Sequence, residues 1–398
     1  MEKNHTRGNI LFVSHDASRT GAPLMLLNLL RWSHQYRNSP FRILVGSSGE
    51  LLSDFEELAQ VDLFEPDRDL LFRGLRRLRL HRWYKSRHLA RLREKLIQSN
   101  IGLVYANSVA SAKMVEFLTF LNCPVICHVH ELEWSIKNLG KDTIKCLEKS
   151  ASRYIVVSPS LKTNLVKTHG ISPDKIELVT GFIPDPRDPG EEVEESRQRI
   201  RQELGIPKGT KIVCACGSIE PRKGTDLFLQ IACHTVLNYP SLPVHFVWVG
   251  GSPDKVKSMR AQVAASPVRD TIHFVGEKDE ATPYFSASDV FLLTSREEAL
   301  PLVMLEAALC HKPTVCFDGS GHPPNFVEQD AGFSVANFDP KLMAEKLVEL
   351  LLDPCLSRRM GETARDKVLN QYVRSIAAPK IAALIDSLIA LPQRSTPQ

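Results

Sequence analysis

The chain has 398 residues, 43% hydrophobic and 24% charged, with a formal net charge of +4 at pH 7. This length exceeds what one ordinary core supports and predicts two domains of roughly 190 residues each, while the composition is that of a globular protein and excludes a disordered chain. No run of about 18 apolar residues occurs, and the start carries only the five-residue apolar stretch 9–13, so neither a membrane span nor a signal peptide is expected.

Nine cysteines are present. Cys123, Cys127, Cys214, Cys216 and Cys316 lie in apolar, strand-like runs; no CxxC occurs, and no spacing matches a zinc site or a disulfide framework. They read as reduced core thiols, which points to a cytoplasmic protein and leaves peripheral attachment to the inner face of the plasma membrane open. The net charge is too small to imply nucleic acid by itself.

In chain order, apolar runs predict strands at 9–13, 41–46, 102–107, 124–130 and 153–158, then at 211–217, 244–251, 271–276, 290–295 and 313–319. Helical stretches alternate with them. Continuous apolar strands between helices mean a parallel sheet covered on both faces, and here the pattern occurs twice. Two Rossmann-like, doubly wound domains are the consequence, 1–183 and 204–373. The segment "PDPRDPGEEVEESRQ" (184–198) holds three prolines and a block of acids, so 184–203 is expected to be the connection between them. After Phe338 the chain reads as helical, and 374–398 is expected to carry a helix that packs back on the first domain.

Ligands of open parallel sheets sit beyond the carboxyl ends of the strands, which directs attention to the residues just after each one. Behind the first strand, Gly21 opens a helix whose unpaired amides suit an anion; turn geometry alone is the competing explanation. Behind 124–130, His128 and His130 share one face. No third ligand at a convincing spacing supports a metal pair, and His130, nearest the strand end, is the better candidate for touching a ligand. Behind 211–217, Arg222 and Lys223 precede Gly224 and a helix with the apolar face Leu227, Phe228 and Ile231. Two cations beside a helix N-terminus form a natural pyrophosphate site, although a solvated Arg-Lys pair is commonplace.

The stretch "SREEALPLVMLEAALCHKPTVCFDG" (295–319) follows the next-to-last of these strands. Glu298 falls in the loop and Glu306 about one turn into a helix that starts near Pro301. The spacing suits two contacts strung along an extended ligand better than a hydrolytic pair across one bond. A helical carboxylate can accept two ribose hydroxyls, and the amides of Leu302 and Val303 can receive phosphate oxygens. By spacing alone the signal is weak, because glutamate is frequent on helices.

Together, "EALPLVMLEAALCHKPTV", "PRKGTDLFLQIA", "FSASDVFLLTS" and "HVHE" resemble the retaining glycosyltransferases of GT-B fold, family 4, over roughly residues 8 to 390. The resemblance implies a nucleotide-sugar-binding second domain and an acceptor-side first domain. It assigns Glu306 to the donor ribose, Glu298 to the donor sugar, and Lys223 with Arg222 to a diphosphate clamp. His130 would touch the transferred sugar, and Gly21 would approach phosphate and acceptor. The implied reaction moves a hexose-type sugar from a UDP- or GDP-sugar to a glycan or lipid-linked acceptor of a cell-surface polysaccharide or glycolipid, with retention and without metal or other cofactor. The chain departs from the family pattern at Ser218, at Thr180-Gly181 and at Ala299-Leu300-Pro301. A silent sugar-nucleotide-binding or partner-binding protein and a phosphorylase or epimerase on the same fold are the alternatives.

Two further segments need an account. "DRD" at 67–69 is a DxD, the metal-holding signature of the other common transferase fold, but the Arg222–Lys223 pair makes a metal unnecessary. The segment 70–95 is crowded with Arg76, Arg77, Arg79, Arg82 and further cations against a single acid. It reads either as a solvated helix or as a patch for anionic lipid or a phosphate-bearing acceptor. Without an aromatic platform or motif it does not suggest nucleic acid.

Overall fold

The structure, a computed structural model, describes residues 8–37, 40–65, 81–140, 142–186 and 192–390. The chain forms two compact units, one of residues up to Phe182 together with those from Arg374 onward, the other Ile183–Val373. Each is built on a parallel sheet with helical crossovers, as two Rossmann-like domains require.

The first sheet contains β1 (Asn9–Ser14), β2 (Phe41–Val45), β3 (Gln60–Leu63), β4 (Ile101–Asn107), β5 (Val125–Val129), β6 (Arg153–Val156) and β7 (Ile176–Leu178), in the order β3-β2-β1-β4-β5-β6-β7. β4 is buried along its whole length, because helices cover both faces of a parallel sheet and leave no solvent side for alternation. The second sheet contains β8 (Lys211–Cys216), β9 (Val244–Val249), β10 (Ile272–Gly276), β11 (Val290–Leu293), β12 (Thr314–Phe317) and β13 (Gly332–Val335), in the order β10-β9-β8-β11-β12-β13. Three of these strands, β3, β7 and β13, lie outside the runs expected from apolar content. All three are sheet edges of three or four residues, where one side lacks a strand neighbour and polar residues such as Asp62 and Glu177 are tolerated.

The connection expected at 184–203 contains a helix, Glu192–Glu203. It packs on the Thr282–Ala287 helix by burying Ile200, and Glu203 accepts from Tyr284 Oη at 3.0 Å and Lys278 Nζ at 3.2 Å. The C-terminal Arg374–Ile389 helix returns to the first unit and lies against the Gly21–Tyr36 helix. There Arg37 binds Asp386 at 2.6 Å and the Ala382 carbonyl at 3.1 Å.

The core of the second unit is centred on Phe228, which is wholly buried. Its ring meets those of Trp248, Phe246 and Phe274 edge-on at 5.2, 5.9 and 6.0 Å, a favourable arrangement of aromatic quadrupoles. This contact seats the helix Thr225–Asn238, and with it the turn that precedes that helix, on the sheet. Phe228→Ala is expected to cost about 3–5 kcal/mol of the second unit's stability in urea denaturation.

Candidate functional site

In the second sheet β8 has β9 on one side and β11 on the other. This is the topological switch point, where the loops after the two central strands diverge and leave a crevice beyond their carboxyl ends. The loop after β8 carries Arg222 and Lys223, and the loop after β11 carries Glu298.

The turn Pro221–Lys223 ends at Gly224, whose φ is +69°. A Cβ at Gly224 would stand 2.0 Å from the Thr294 carbonyl oxygen, so only glycine allows the turn to rest on the end of β11. The Thr294 hydroxyl donates to the Lys223 carbonyl at 3.0 Å, and the Arg296 amide donates to the Arg222 carbonyl at 2.7 Å. Arg296 also forks onto Asp226 at 2.6 and 2.8 Å and donates to the Pro221 carbonyl at 2.6 Å. Residues some 75 positions apart are thereby held as one surface.

Within it, Glu298 is 6% exposed. Its Oε1 lies 2.6 Å from Lys223 Nζ and its Oε2 3.3 Å from Arg222 Nη1. Arg222 also donates to the Glu297 carbonyl at 2.9 Å and reaches Glu220 at 3.1 Å. Ser218, one of the departures from the family pattern, donates to the same Glu220 oxygen at 2.9 Å. Burial alone would raise the Glu298 carboxyl; the Lys223 ammonium and the Arg222 guanidinium outweigh it and hold the group below its ordinary value. The Glu298 backbone is fixed as well, donating to the Ser320 carbonyl at 2.7 Å and accepting from the His322 amide at 3.0 Å.

Glu306 differs in its surroundings. It sits on the Leu302–Leu309 helix, for which Pro301 is the N-cap, and Leu302 and Val303 are the first two helical residues, whose amides have no partner within the helix. Burial raises the Glu306 carboxyl. The neighbouring Cys216 thiol is pushed up to about 12, first by burial and then by Glu306. The spacing predicts two separate contacts along a ligand; the structure gives Glu298 the two cations as immediate partners, and among the described residues neither cation forms an ion pair with Glu306.

In the first unit, Asn107 at the end of β4 links the other two expected residues. Its Nδ2 donates to the Ala22 carbonyl at 2.9 Å, next to Gly21, the exposed first residue of the Gly21–Tyr36 helix. Its Oδ1 is 2.8 Å from His130 Nε2. An amide oxygen can only accept, so Nε2 carries the His130 proton and Nδ1 is left as an acceptor. Burial, followed by His15, lowers the His130 ring to about 3, which keeps it neutral. His128 is a core residue with Nδ1 2.7 Å from the Tyr105 hydroxyl. Glu131 is spent on the chain itself: it takes hydrogen bonds from the Ser108 hydroxyl and from the amides of His130 and Val109, at 3.0 and 3.2 Å for the amides. These contacts hold Ser108 at φ +81°, a strained position at a strand end.

Of the basic residues, Arg82 is exposed on the His81–Gln98 helix, and Arg76, Arg77, Arg79 and the DRD at 67–69 lie outside the described residues. On that helix Leu92 and Leu96 are buried, while Trp83 is 56% exposed with the Arg87 guanidinium 4.7 Å from its ring centroid. Asn107, Arg296, Asp226 and Ser320 were not expected to matter. Asn107, a polar residue closing an apolar run, and the small residues Gly319–Gly321 after β12 are the signals that point to two of these positions.

A family model described as Glycosyl transferases group 1 matches residues 196–367, and one described as Glycosyltransferase Family 4 matches residues 50–185. The chain belongs to glycosyltransferase family 4. Its fold is GT-B: Anabaena HepE, solved with UDP and glucose, superposes with a TM-score of 0.78 at 18% identity, over 96% of this chain and 100% of that one. The D-inositol 3-phosphate glycosyltransferase of Corynebacterium aurimucosum is 28% identical over 237 residues, 57% of this chain and 55% of that protein. The GDP-mannose-dependent alpha-(1-6)-phosphatidylinositol monomannoside mannosyltransferase of Mycolicibacterium smegmatis is 23% identical over 272 residues, 65% of this chain and 68% of that protein. Against the first curated relatives, the match spans about half to two thirds of their length.

Glu298 supplies a stability test. Its lowered carboxyl contributes stability that is present above the unfolded-state value and lost as pH falls through the folded one. Lys223→Met removes the closer cation and is expected to cost about 1–3 kcal/mol at pH 7.5. The deficit should shrink at pH 5, where the variant's Glu298, still buried and no longer held low by Lys223, takes up a proton while the wild-type group stays charged; urea denaturation at the two pH values reads both effects.

Proposed function

We propose that this family 4 protein is a retaining glycosyltransferase that moves a hexose-type sugar from a UDP- or GDP-sugar to a glycan or lipid-linked acceptor, in the synthesis of cell-surface polysaccharide or glycolipid. The observation that carries the proposal is the Arg222–Lys223–Glu298 cluster at the carboxyl ends of β8 and β11. Two fixed cations at a switch point suit a diphosphate. As the sugar leaves, negative charge grows on the phosphate oxygens, and cations already in place stabilise it without reorganising. The amides of Leu302 and Val303 add donors at a helix start. Protein cations, in this reading, do the work that a divalent ion does elsewhere, and turnover should survive a chelator.

Glu306, as a carboxylate, accepts the ribose hydroxyls, and Glu298 faces the donor sugar while keeping the two cations aligned. His130, neutral and with Nδ1 as an acceptor, receives a hydroxyl of the transferred sugar, and the Gly21 turn lets donor and acceptor approach the backbone. Retention follows from attack on the face the phosphate leaves, with the departing phosphate taking the acceptor proton. No protein carboxylate serves as the base. Among the described residues no helix is long and apolar enough to cross a membrane. The exposed cations of the His81–Gln98 helix, Arg82 included, suit an anionic lipid surface, each contributing about 1 kcal/mol.

The reading is tested by incubating the protein with UDP- and GDP-sugars and an acceptor mixture, and following nucleotide release together with the anomeric configuration of the product. Glu298→Gln is expected to lower turnover by at least about a hundredfold. Stable binding without turnover in the wild type would instead identify a silent binder, and sugar phosphate formed without nucleotide a phosphorylase.

The pH dependence has a definite sign. Ribose hydroxyls favour the charged form of Glu306, whose carboxyl is raised by burial, so donor affinity should fall as pH drops through that raised value. Calorimetric titration between pH 5 and 8 is expected to show this acid limb in the wild type and to lose it in Glu306→Gln. His130, at about 3, adds nothing in this range.

A further inference from the structure

The strands that present Lys223 and Glu298 at their carboxyl ends open at their amino ends on a cavity of about 220 Å³. Its charged lining comprises Arg197, Lys211, Asp289, Lys312 and Arg358, with His311 beside them. Lys211 begins β8, Asp289 precedes β11, and His311 and Lys312 precede β12. Arg197 comes from the Glu192–Glu203 helix and Arg358 from the first turns of the Pro354–Gln371 helix.

Four lysine and arginine side chains face a single carboxylate, and that carboxylate is already engaged. Asp289 Oδ2 accepts from the Ile212 amide at 2.8 Å, while Oδ1 stands 3.5 Å from Arg197 and 3.7 Å from Lys211, beyond ordinary hydrogen-bond contact. Lys312 donates to the Ser286 carbonyl at 3.1 Å. Among the described residues no carboxylate lies within ion-pair distance of Lys312 or Arg358. An ammonium has three donors, so the Lys312 group retains capacity in a partly buried position, and burial lowers its pKa. Asp353, close by in sequence, directs its carboxylate at the amides of Cys355 and Leu356, at 3.0 and 2.9 Å. The lining itself therefore carries three more cations than carboxylates, with Glu362 and Asp366 acting on His311 at its edge, and such a concave wall concentrates the field.

We propose that this cavity binds a compact phosphate-class anion: inorganic phosphate or diphosphate, or the phosphate of a small sugar phosphate. Two guanidinium groups supply the planar forks that match phosphate oxygens, and two ammonium groups supply point charges. The volume is below the roughly 300–1,000 Å³ of sites for drug-sized ligands, which excludes a whole nucleotide sugar. This site is separate from the diphosphate clamp and does not depend on how that clamp is used.

The experiment is a thermal-shift titration of the full chain with sodium diphosphate, inorganic phosphate and a hexose 6-phosphate, each balanced with sodium chloride to constant ionic strength. Binding to the folded state raises Tm saturably by mass action. The rise is expected to persist in Lys223→Gln and to need about tenfold more anion in Arg358→Gln and Lys312→Gln. If Lys312→Gln does not fold, Lys211→Gln at the rim replaces it. A hexose phosphate acting at lower concentration than inorganic phosphate identifies a metabolite site, and the reverse order an inorganic one. The proposal falls if no anion gives a saturable shift, if the shift is unchanged in the cavity variants, or if it disappears in Lys223→Gln, which would place the anion on the clamp.

Discussion

Glu298 can be ionised at 6% exposure only because Lys223 and Arg222 stand 2.6 and 3.3 Å from its two oxygens. A buried carboxylate without partners would lose its hydration and protonate; two cations without a carboxylate would repel each other in the same enclosure. Each loop therefore depends on the other. The turn after β8 takes its shape because Gly224 lies on the end of β11, and the loop after β11 takes its shape because Arg296 reaches back to Pro221 and Asp226. Parallel pairing of β8 with β11 brings these partners together, so the sheet topology is what makes the charge arrangement possible.

The same enclosure treats two glutamates on neighbouring turns of chain in opposite ways. Glu298 is pulled down by cations and Glu306 is pushed up by burial. Divergence of this kind gives chemically identical side chains different work within one crevice. In the first unit the corresponding strand end is electrically quiet. His130 is neutral, its proton directed at Asn107, and the adjacent carboxylate, Glu131, is absorbed by backbone amides and a serine. A neutral acceptor is suited to hydroxyl groups, and the cation cluster is suited to phosphate.

The central strands were legible in the sequence because a parallel sheet covered on both faces demands continuous apolar runs, and ten such runs are present. The short edges β3, β7 and β13 were not, since an edge strand of three or four residues needs little apolar content. The Glu192–Glu203 helix reads as a solvated connection because Ile200 is its one residue buried in the core among those whose side chains are described. At the site, Arg222, Lys223, Glu298 and Glu306 were visible from residue type and position after a strand. Arg296, Asp226, Ser320 and Asn107 act through contacts across 20 to 85 positions of sequence, and no local pattern records such pairings. The direct pairing of Glu298 with Lys223 and Arg222 is of the same kind.

The chain enters the second unit at Ile183 and leaves it at Val373, and these two residues pair side by side, with the Ile183 amide donating to the Tyr372 carbonyl at 2.9 Å. The Arg374–Ile389 helix then completes the first unit. In topological terms the second unit is an insertion whose ends are already joined by backbone hydrogen bonding. A module with adjacent ends can be exchanged, permuted or lost without opening the fold that carries it. Such a chain can change its second unit by recombination at two neighbouring points, while the unit around β1 and β4 keeps its own core and its own closing helix.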